Sequence, residues 1–214
     1  SLSAFSNAGQ RCAAASRVLV FEQVYDTFLE KLIAKAEGLN LGVGKDSDLG
    51  PVVSEKQRQS ILDDISNAIA EGGKVECGGV AATSAGLEHG YYVLPTVISG
   101  LGAESDLCSK EVFGPVVSVH RIRDLPSALS IANNTKFGLT ASIHTRNVDR
   151  AMWFAQRVRT GVANINFGTY GSEPHMPFGG FGLSGNGTRE PCVEALDVYA
   201  ELKNISFLTR EDLL

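Results

Sequence analysis

Apolar and polar positions follow two different periods in the first half of the chain. A run enriched in β-branched and aromatic side chains at residues 17–22 (RVLVFE) predicts a buried strand. Apolar residues then recur at i, i+3, i+4 and i+7 over residues 25–36, and again around residues 61–69, with charged positions between them. Both stretches predict helices with one face on a core. Short strands are predicted at residues 74–79 and, interrupted by a proline, at residues 91–98.

From residue 115 onward, predicted strands and helices alternate. PVVSVHRI (115–122), LTASIHT (139–145) and GVANINF (161–167) have the composition of strands, and helices are predicted between them at residues 126–133 and 148–158. This alternation is typical of βαβ units, in which parallel strands are joined by crossover helices. The predicted fold class is therefore α/β, with a mainly parallel twisted sheet flanked by helices.

Two stretches near the C-terminal end break the alternation. Residues 168–190 are rich in glycine, proline and serine and predict a long ordered loop, a kind of segment that is usually functional in a compact domain. Within it, GFGLSG (180–185) has the spacing of a dinucleotide-binding loop, but no strand directly precedes it and Pro191 interrupts any helix after it. Apolar and polar residues alternate over residues 195–207, which predicts a strand whose edge is free to pair with a partner.

Composition and charge narrow the classes of function. The 214 residues are 43% hydrophobic and carry a net charge of −5, with a pI of about 5.4. Because a negative chain is not attracted to phosphate backbones or anionic lipids, we expect no nucleic-acid partner and no membrane partner. No apolar run approaches the roughly 20 residues that span a bilayer, and no signal peptide opens the chain, so we expect a cytoplasmic location.

The four cysteines are Cys12, Cys77, Cys108 and Cys192, and because they form no C-x-x-C pair we expect free thiols and no structural metal. Cys12 lies among alanines, directly after an arginine, in FSNAGQRCAAASRV. Small neighbours give access to a thiol, and a nearby positive charge favours the thiolate. Free cysteine is nevertheless among the most buried residue types. These local features alone therefore favour a buried structural cysteine, with a nucleophile as the alternative.

The segment around Cys12 resembles the active-site segment of the aldehyde dehydrogenase superfamily, F-x-x-x-G-[QE]-x-C, at Phe5, Gly9, Gln10 and Cys12. Three further stretches resemble motifs of the same family in the same order: KEVFGPV (110–116) for E-x-F-G-P, NTKFGLTASIHT (134–145) for N-x-x-x-G-L-x-[AS], and PFGGFGLSGNGTRE (177–190) for P-F-G-G-x-x-x-S-G-x-G. Four matches in the family's order are much more specific than any one of them.

The resemblance extends over nearly the whole chain but corresponds to less than half of a full-length family member. It implies that residues 1–190 are a catalytic domain and that residues 191–214 are an oligomerisation segment, whose strand would build a homodimer or tetramer. It also implies that a preceding segment carries the cofactor domain, the glutamate general base of an E-L-G-G-K motif and the asparagine of the oxyanion hole. NAD or NADP would be bound mainly by that segment.

The resemblance also implies a role for each matching residue. Cys12 would attack the aldehyde carbon to give a thiohemiacetal and, after loss of hydride, a thioester that water hydrolyses. Its backbone N–H would be one oxyanion donor. Glu111 would accept hydrogen bonds from the nicotinamide ribose, and Phe113 would lie against the nicotinamide ring. The substrate pocket would contain Arg11, Asn166, Phe167, Tyr170 and Phe178, although Asn166 fits a strand-terminal turn residue equally well.

The predicted function is the oxidation of an aldehyde or semialdehyde to a carboxylate, with the 214-residue chain inactive by itself. Two alternatives stay open. One is a non-catalytic oligomerisation or scaffold module of the same fold, which an inert Cys12 would favour. The other is a cofactor-independent thiol esterase, which ester turnover at Cys12 would favour.

Overall fold

The computed structural model describes residues 1–84, 86–171 and 173–208. The strands are β1 (Arg17–Phe21), β2 (Lys74–Cys77), β3 (Thr96–Ser99), β4 (Val116–Ile122), β5 (Thr140–Ile143) and β6 (Val162–Ile165). The α-helices are α1 (Leu2–Phe5), α2 (Tyr25–Glu37), α3 (Glu55–Ala70), α4 (Asp106–Ser109), α5 (Leu125–Asn133) and α6 (Val148–Ala155). The strands and helices that the sequence predicts up to residue 167 are therefore present, with shifted ends.

The first sheet contains four strands in the order β1-β4-β3-β2. β4 runs parallel to both β1 and β3, whereas β2 is antiparallel to β3. All four residues of β3 and six of the seven residues of β4 are buried, as expected for parallel strands covered on both faces. Ile61 and Ile65 from the apolar stripe of α3 belong to the same core. The mainly parallel α/β fold predicted from the sequence is confirmed.

The second sheet consists of β5 and β6, which run parallel to each other. Helix α6 contacts both strands. None of the residues in these two strands is fully buried. Within the described residues the parallel strands are thus divided between a well-covered sheet and a partly covered one.

Side-chain caps mark the start of three of the described helices. Ser54 accepts a hydrogen bond from the N–H of Gln57 at the start of α3, and Asp124 and Asn147 cap α5 and α6 in the same way. The first turn of α3 is therefore held in place beside the loop that precedes it. No helix in the described ranges is long and apolar enough to cross a membrane.

The strand predicted over residues 195–207 is not confirmed, because the described part of this single chain forms no strand there. Val193–Val198 form a 3-10 helix, and residues 199–208 have no regular secondary structure. A strand needs a neighbouring strand to satisfy its backbone hydrogen bonds, and none of the described strands pairs with this segment. The end of the predicted oligomerisation segment, residues 209–214, lies outside the described residues.

Candidate active site

Cys12 occupies an exposed turn immediately before β1. The Ala14 N–H donates to the Arg11 carbonyl (2.9 Å), which closes the turn around Cys12. The side chains of Cys12 and Arg11 are both exposed, whereas Cys77 and Cys108 are buried. Burial raises the pKa of the Cys77 and Cys108 thiols, which disfavours their thiolates. Cys12 is therefore not the buried structural cysteine that its local sequence favours.

The backbone N–H of Cys12 is also free within the described part of the chain. Among the described residues, no backbone or side-chain acceptor receives a hydrogen bond from it. On the far side of the turn, the Ala15 N–H donates to the Ser3 carbonyl (2.8 Å), which ties the turn to α1. A fixed, unused N–H next to a thiol can stabilise negative charge on an oxygen bonded to the carbon that the thiol attacks.

Gly9 brings the Cys12 segment against the E-x-F-G-P motif. Its φ of +68° is in the left-handed region, and a Cβ atom at this position would lie 2.0 Å from the Gly114 carbonyl oxygen. Asn7 and Ala8, just before it, also have positive φ values of 55° and 53°. Only glycine fits this close backbone approach. The first two motifs singled out in the sequence are therefore in direct contact.

Gln10 fixes the Cys12 segment to the loop before α3. Its Nε2 donates to the Pro51 carbonyl (3.2 Å), and its Oε1 accepts the Val53 N–H (2.9 Å). These bonds use both ends of the amide, so a glutamate at this position would lose the donor. The motif marks Gln10 in the sequence, but its anchoring role depends on a contact between residues more than 40 positions apart.

Glu111 and Phe113 lie on an exposed loop that leads into β4. Phe113 is 39% exposed and has a positive φ of 54°. Gln57, in the first turn of α3, donates from Nε2 to the Val112 carbonyl (2.9 Å) and to the Phe113 carbonyl (3.2 Å). Gln57 was missed in the sequence, because nothing local connects a glutamine on a helix surface with a loop 55 residues later.

Helix α3 supports the two ends of the same loop. At one end, Lys110 forms an ion pair with the buried Asp64 of α3. At the other end, Gly114 lies so close to Ile61 that a Cβ atom would be 2.4 Å from the Ile61 Cδ1 atom. The loop that carries Glu111 and Phe113 is therefore held from its beginning to its end by one helix.

Asn166 directly follows β6, and its side chain joins the chain beyond β6 to the chain beyond β5. Its Oδ1 accepts the Thr145 N–H (2.7 Å), and its Nδ2 donates to the Thr145 carbonyl (2.9 Å). Its φ is 56°, a conformation that asparagine tolerates better than most residues. These contacts agree with the strand-terminal interpretation of Asn166.

Phe167 and Tyr170 begin the long loop after β6. Their ring centroids are 5.5 Å apart. Between them in sequence, the Thr169 N–H donates to Ser3 Oγ (3.3 Å). Because the Ser3 carbonyl also binds the end of the Cys12 turn, α1 connects this loop with that turn.

The other two motifs also contact each other. The Phe181 N–H donates to the Gly138 carbonyl (2.9 Å), and a Cβ atom on Gly161 would lie 1.6 Å from the Gly179 carbonyl oxygen. Phe178 exchanges two backbone hydrogen bonds with Glu190 (2.8 Å each), which closes the loop at its base. A 3-10 turn, Gly182–Ser184, follows Phe181, so GFGLSG does not open a helix.

Cys12 lies on an open surface of this chain. Two open cavities of the described part, of about 520 and 260 Å³, are not lined by Cys12, Glu111 or Asn166. No group of three metal-ligating side chains occurs among the described residues. The motif residues thus form a surface on which a substrate or another part of a protein can be received.

Comparison with known proteins agrees with the four motifs. The model of the Aldehyde dehydrogenase family matches residues 1–205. Alpha-ketoglutarate semialdehyde dehydrogenase of Haloferax volcanii is 40% identical over 202 residues, which cover 94% of this chain and 42% of that protein. Mitochondrial aldehyde dehydrogenase of Rattus norvegicus is 36% identical, with coverage of 94% and 38%.

Solved structures show the same relationship. A putative aldehyde dehydrogenase from Burkholderia cenocepacia superposes with a TM-score of 0.90 at 36% identity, covering 94% of this chain and 41% of its own. Betaine aldehyde dehydrogenase from Staphylococcus aureus, in complex with NAD+, gives a TM-score of 0.89 at 31% identity, with coverage of 92% and 39%. This chain spans about 40% of the length of these relatives. By its motifs, its fold and these matches, the chain belongs to the aldehyde dehydrogenase family.

Proposed function

We propose that this chain is the nucleophile-bearing part of an NAD(P)-dependent aldehyde dehydrogenase. The observation that carries the proposal is the exposed Cys12 thiol next to its own unused N–H, in a turn held against the Glu111 loop. The Cys12 thiolate attacks the carbonyl carbon, and the carbonyl oxygen becomes an oxyanion that the N–H stabilises. Loss of hydride leaves a thioester on the sulfur, and water cleaves it to the carboxylic acid and the free thiol.

The residues before β4 fit a nicotinamide cofactor. An exposed carboxylate suits the hydroxyl pair of a ribose, and an exposed aromatic ring suits a flat heterocycle, so Glu111 and Phe113 would hold the nicotinamide end. When bound, NAD or NADP supplies the acceptor for the hydride. The Gln57 and Lys110 contacts keep the loop ready to receive it.

The proposed substrate is an aldehyde or a semialdehyde. The Haloferax volcanii relative, named for alpha-ketoglutarate semialdehyde, supports including that compound among the first substrates to be tried. Arg11 is exposed directly before Cys12, and Phe167 and Tyr170 lie on the loop tied to the Cys12 turn through Ser3. These three side chains and Phe178 are the candidates for recognising the substrate.

The experiment is an assay of NADH or NADPH formation with a panel of aldehydes. The 214-residue chain alone is expected to be inactive, because the E-L-G-G-K motif is not in its sequence and removing a general base costs on the order of a hundredfold or more. Activity is expected when the chain follows a cofactor-binding portion of the family, and it should disappear in Cys12→Ser. Activity that survives Cys12→Ser would contradict the proposal.

Homo-oligomer formation through the C-terminal segment is part of the proposal. Leu202, Ile205 and Phe207 are at least 75% exposed, and such apolar side chains in a row favour burial against a partner. The same observation favours the scaffold alternative, in which Cys12 would be inert. The esterase alternative needs a base, and no histidine hydrogen-bonds to Cys12 among the described residues. A cytoplasmic location stays a prediction.

A further inference from the structure

A cavity of about 520 Å³ lies at the opposite end of the first sheet from the Cys12 turn. Its lining begins with Phe21, the last residue of β1, and includes residues 123–126, which directly follow β4. Cys12 and Glu111, by contrast, precede the same two strands. Because the seven residues of β4 extend over roughly 20 Å, the cavity is separate from the candidate active site.

The cavity sits where the chain leaves two neighbouring parallel strands toward opposite faces of the sheet. Arg17 of β1 donates to the carbonyls of Ile131 and Ala132, so it points to the face covered by α5. Val20, an odd number of residues along the strand, points to the other face and shares a buried cluster with Leu32 of α2. In open α/β sheets, ligands bind in the crevice at the carboxyl ends of such strands.

Two arginines give the cavity its charge. Arg123 and Arg150 line it, and neither has a carboxylate within ion-pair distance among the described residues. The neighbouring Arg121, in contrast, pairs with Asp26 (2.7 Å) and stacks over Tyr25. With two guanidinium groups and the one carboxylate of Asp124, the lining keeps a net positive charge, which favours an anion.

The rest of the lining decides what kind of anion fits. Phe21, Leu125 and Pro126 form an apolar wall, and Gln23 adds one amide. The Asp124 carboxylate also lines the cavity, where it caps α5 by accepting from the N–H and hydroxyl of Ser127, and its charge offsets part of the charge of the two arginines. An inorganic ion would leave the apolar wall unused.

We propose that this cavity binds a small organic phosphate. A carboxylate is satisfied by one guanidinium fork, whereas the three free oxygens of a phosphate monoester can accept from both Arg123 and Arg150. A ring-bearing body packs on Phe21 and Pro126. The volume lies within the range of about 300–1,000 Å³ of small-molecule sites, which suits a nucleoside monophosphate.

The experiment is a calorimetric titration of the 214-residue chain with adenosine 5′-monophosphate at low salt. Arg123→Gln and Arg150→Gln are each expected to weaken binding about tenfold, as for loss of one charged hydrogen-bond donor to phosphate. Both side chains are exposed, so these variants should fold normally. Arg146→Gln, at an exposed position outside the cavity, removes the same charge and should leave the affinity unchanged. Uncharged adenosine should bind at least tenfold more weakly than the monophosphate.

Several results would overturn the proposal. These are no binding of the monophosphate at millimolar concentration, equal losses in Arg146→Gln and the two cavity variants, or equal affinity for inorganic phosphate and for the monophosphate. Cys12→Ser should bind the monophosphate like the unchanged chain. A failure here would therefore leave the proposed role of Cys12 untouched, and a failure of aldehyde oxidation would leave this site untouched.

Discussion

The two sheets of this chain have similar strands and very different surroundings. Ile98 of β3 is completely buried under the helices of the first sheet, whereas Ile165 of β6 is 39% exposed. Both are isoleucines in four-residue strands that each have a parallel neighbour. The difference shows that strand composition indicates where a sheet forms but not how completely the same chain covers it.

The residues of the candidate active site are likewise divided between the two sheets. Cys12, Glu111 and Phe113 are attached to the first sheet, where Gly9 and Gln57 lock their backbone into a single arrangement. Asn166 and Phe167 directly follow β6 of the second sheet, whose strands contain no fully buried residue. We therefore expect the nucleophile side of the site to be preorganised and the substrate side to depend on further contacts.

The largest expected effect contrasts the two isoleucines directly. Ile98→Ala should lower the free energy of unfolding by about 2–5 kcal/mol, because it leaves a cavity in a closed core. Ile165→Ala should cost less, about 1 kcal/mol, since Ile165 is 39% exposed and its removal opens no closed cavity. Urea denaturation of both variants measures this contrast. Equal losses would mean that the second sheet is as well packed as the first.

Gly9→Ala tests the contact between the first two motifs. The added Cβ meets the Gly114 carbonyl, and the positive φ adds strain, so we expect a loss of about 3 kcal/mol or more. Gly72→Ala is the matched control, because Gly72 also has a positive φ but has open space around it. Gly72→Ala should cost only about 1 kcal/mol. Equal stability of the two variants would contradict the close approach of the Gly9 backbone to the Gly114 carbonyl.

Gln57→Leu tests the support of the Glu111 loop. It removes the two hydrogen bonds to the carbonyls of Val112 and Phe113, which should cost about 1–2 kcal/mol and speed amide hydrogen exchange across residues 111–114. Gln59→Leu changes the same residue type on the exposed face of α3 and should leave the loop unaffected. Unchanged exchange in Gln57→Leu would show that the loop holds its shape without α3.

The smallest expected effect depends on pH and concerns His120 in the first sheet. Burial and the nearby Arg17 lower the pKa of His120 below its usual 6.5, and Cys108 and Ser118 are its side-chain neighbours. Between the two pKa values, the unfolded chain therefore binds a proton at His120 and the folded chain does not. The free energy of unfolding that this group contributes is fully present above pH 6.5 and is lost as the pH falls toward the lowered pKa of the folded chain. His120→Gln should show a shallower fall in denaturation midpoint over that window. An identical pH dependence would contradict this account.

Much of the fold could be read from the sequence, and the exceptions have physical causes. Residues 25–36 predicted α2 because the helix is amphipathic by itself. The tail over residues 195–207 has an equally clear alternation, yet no strand forms, because a strand depends on a partner that the pattern cannot supply. Gln57 could not be found because its contacts are tertiary. Cys12 was found through its motif, while its local composition alone pointed to burial.

The most direct test of the central claim is to locate the site that p-nitrophenyl acetate acylates, because this reaction needs neither cofactor nor the rest of an enzyme. A nucleophilic thiolate attacks the ester carbonyl, p-nitrophenolate leaves, and an acetyl thioester remains on the sulfur. Peptide mass spectrometry is expected to find the acetyl group on Cys12. The peptide that contains position 12 should carry no acetyl group in Cys12→Ser. Cys192→Ser, which removes the half-buried thiol, should leave the acetylation of Cys12 unchanged. Acetylation of Cys192 in place of Cys12, or an unmodified Cys12, would contradict the account.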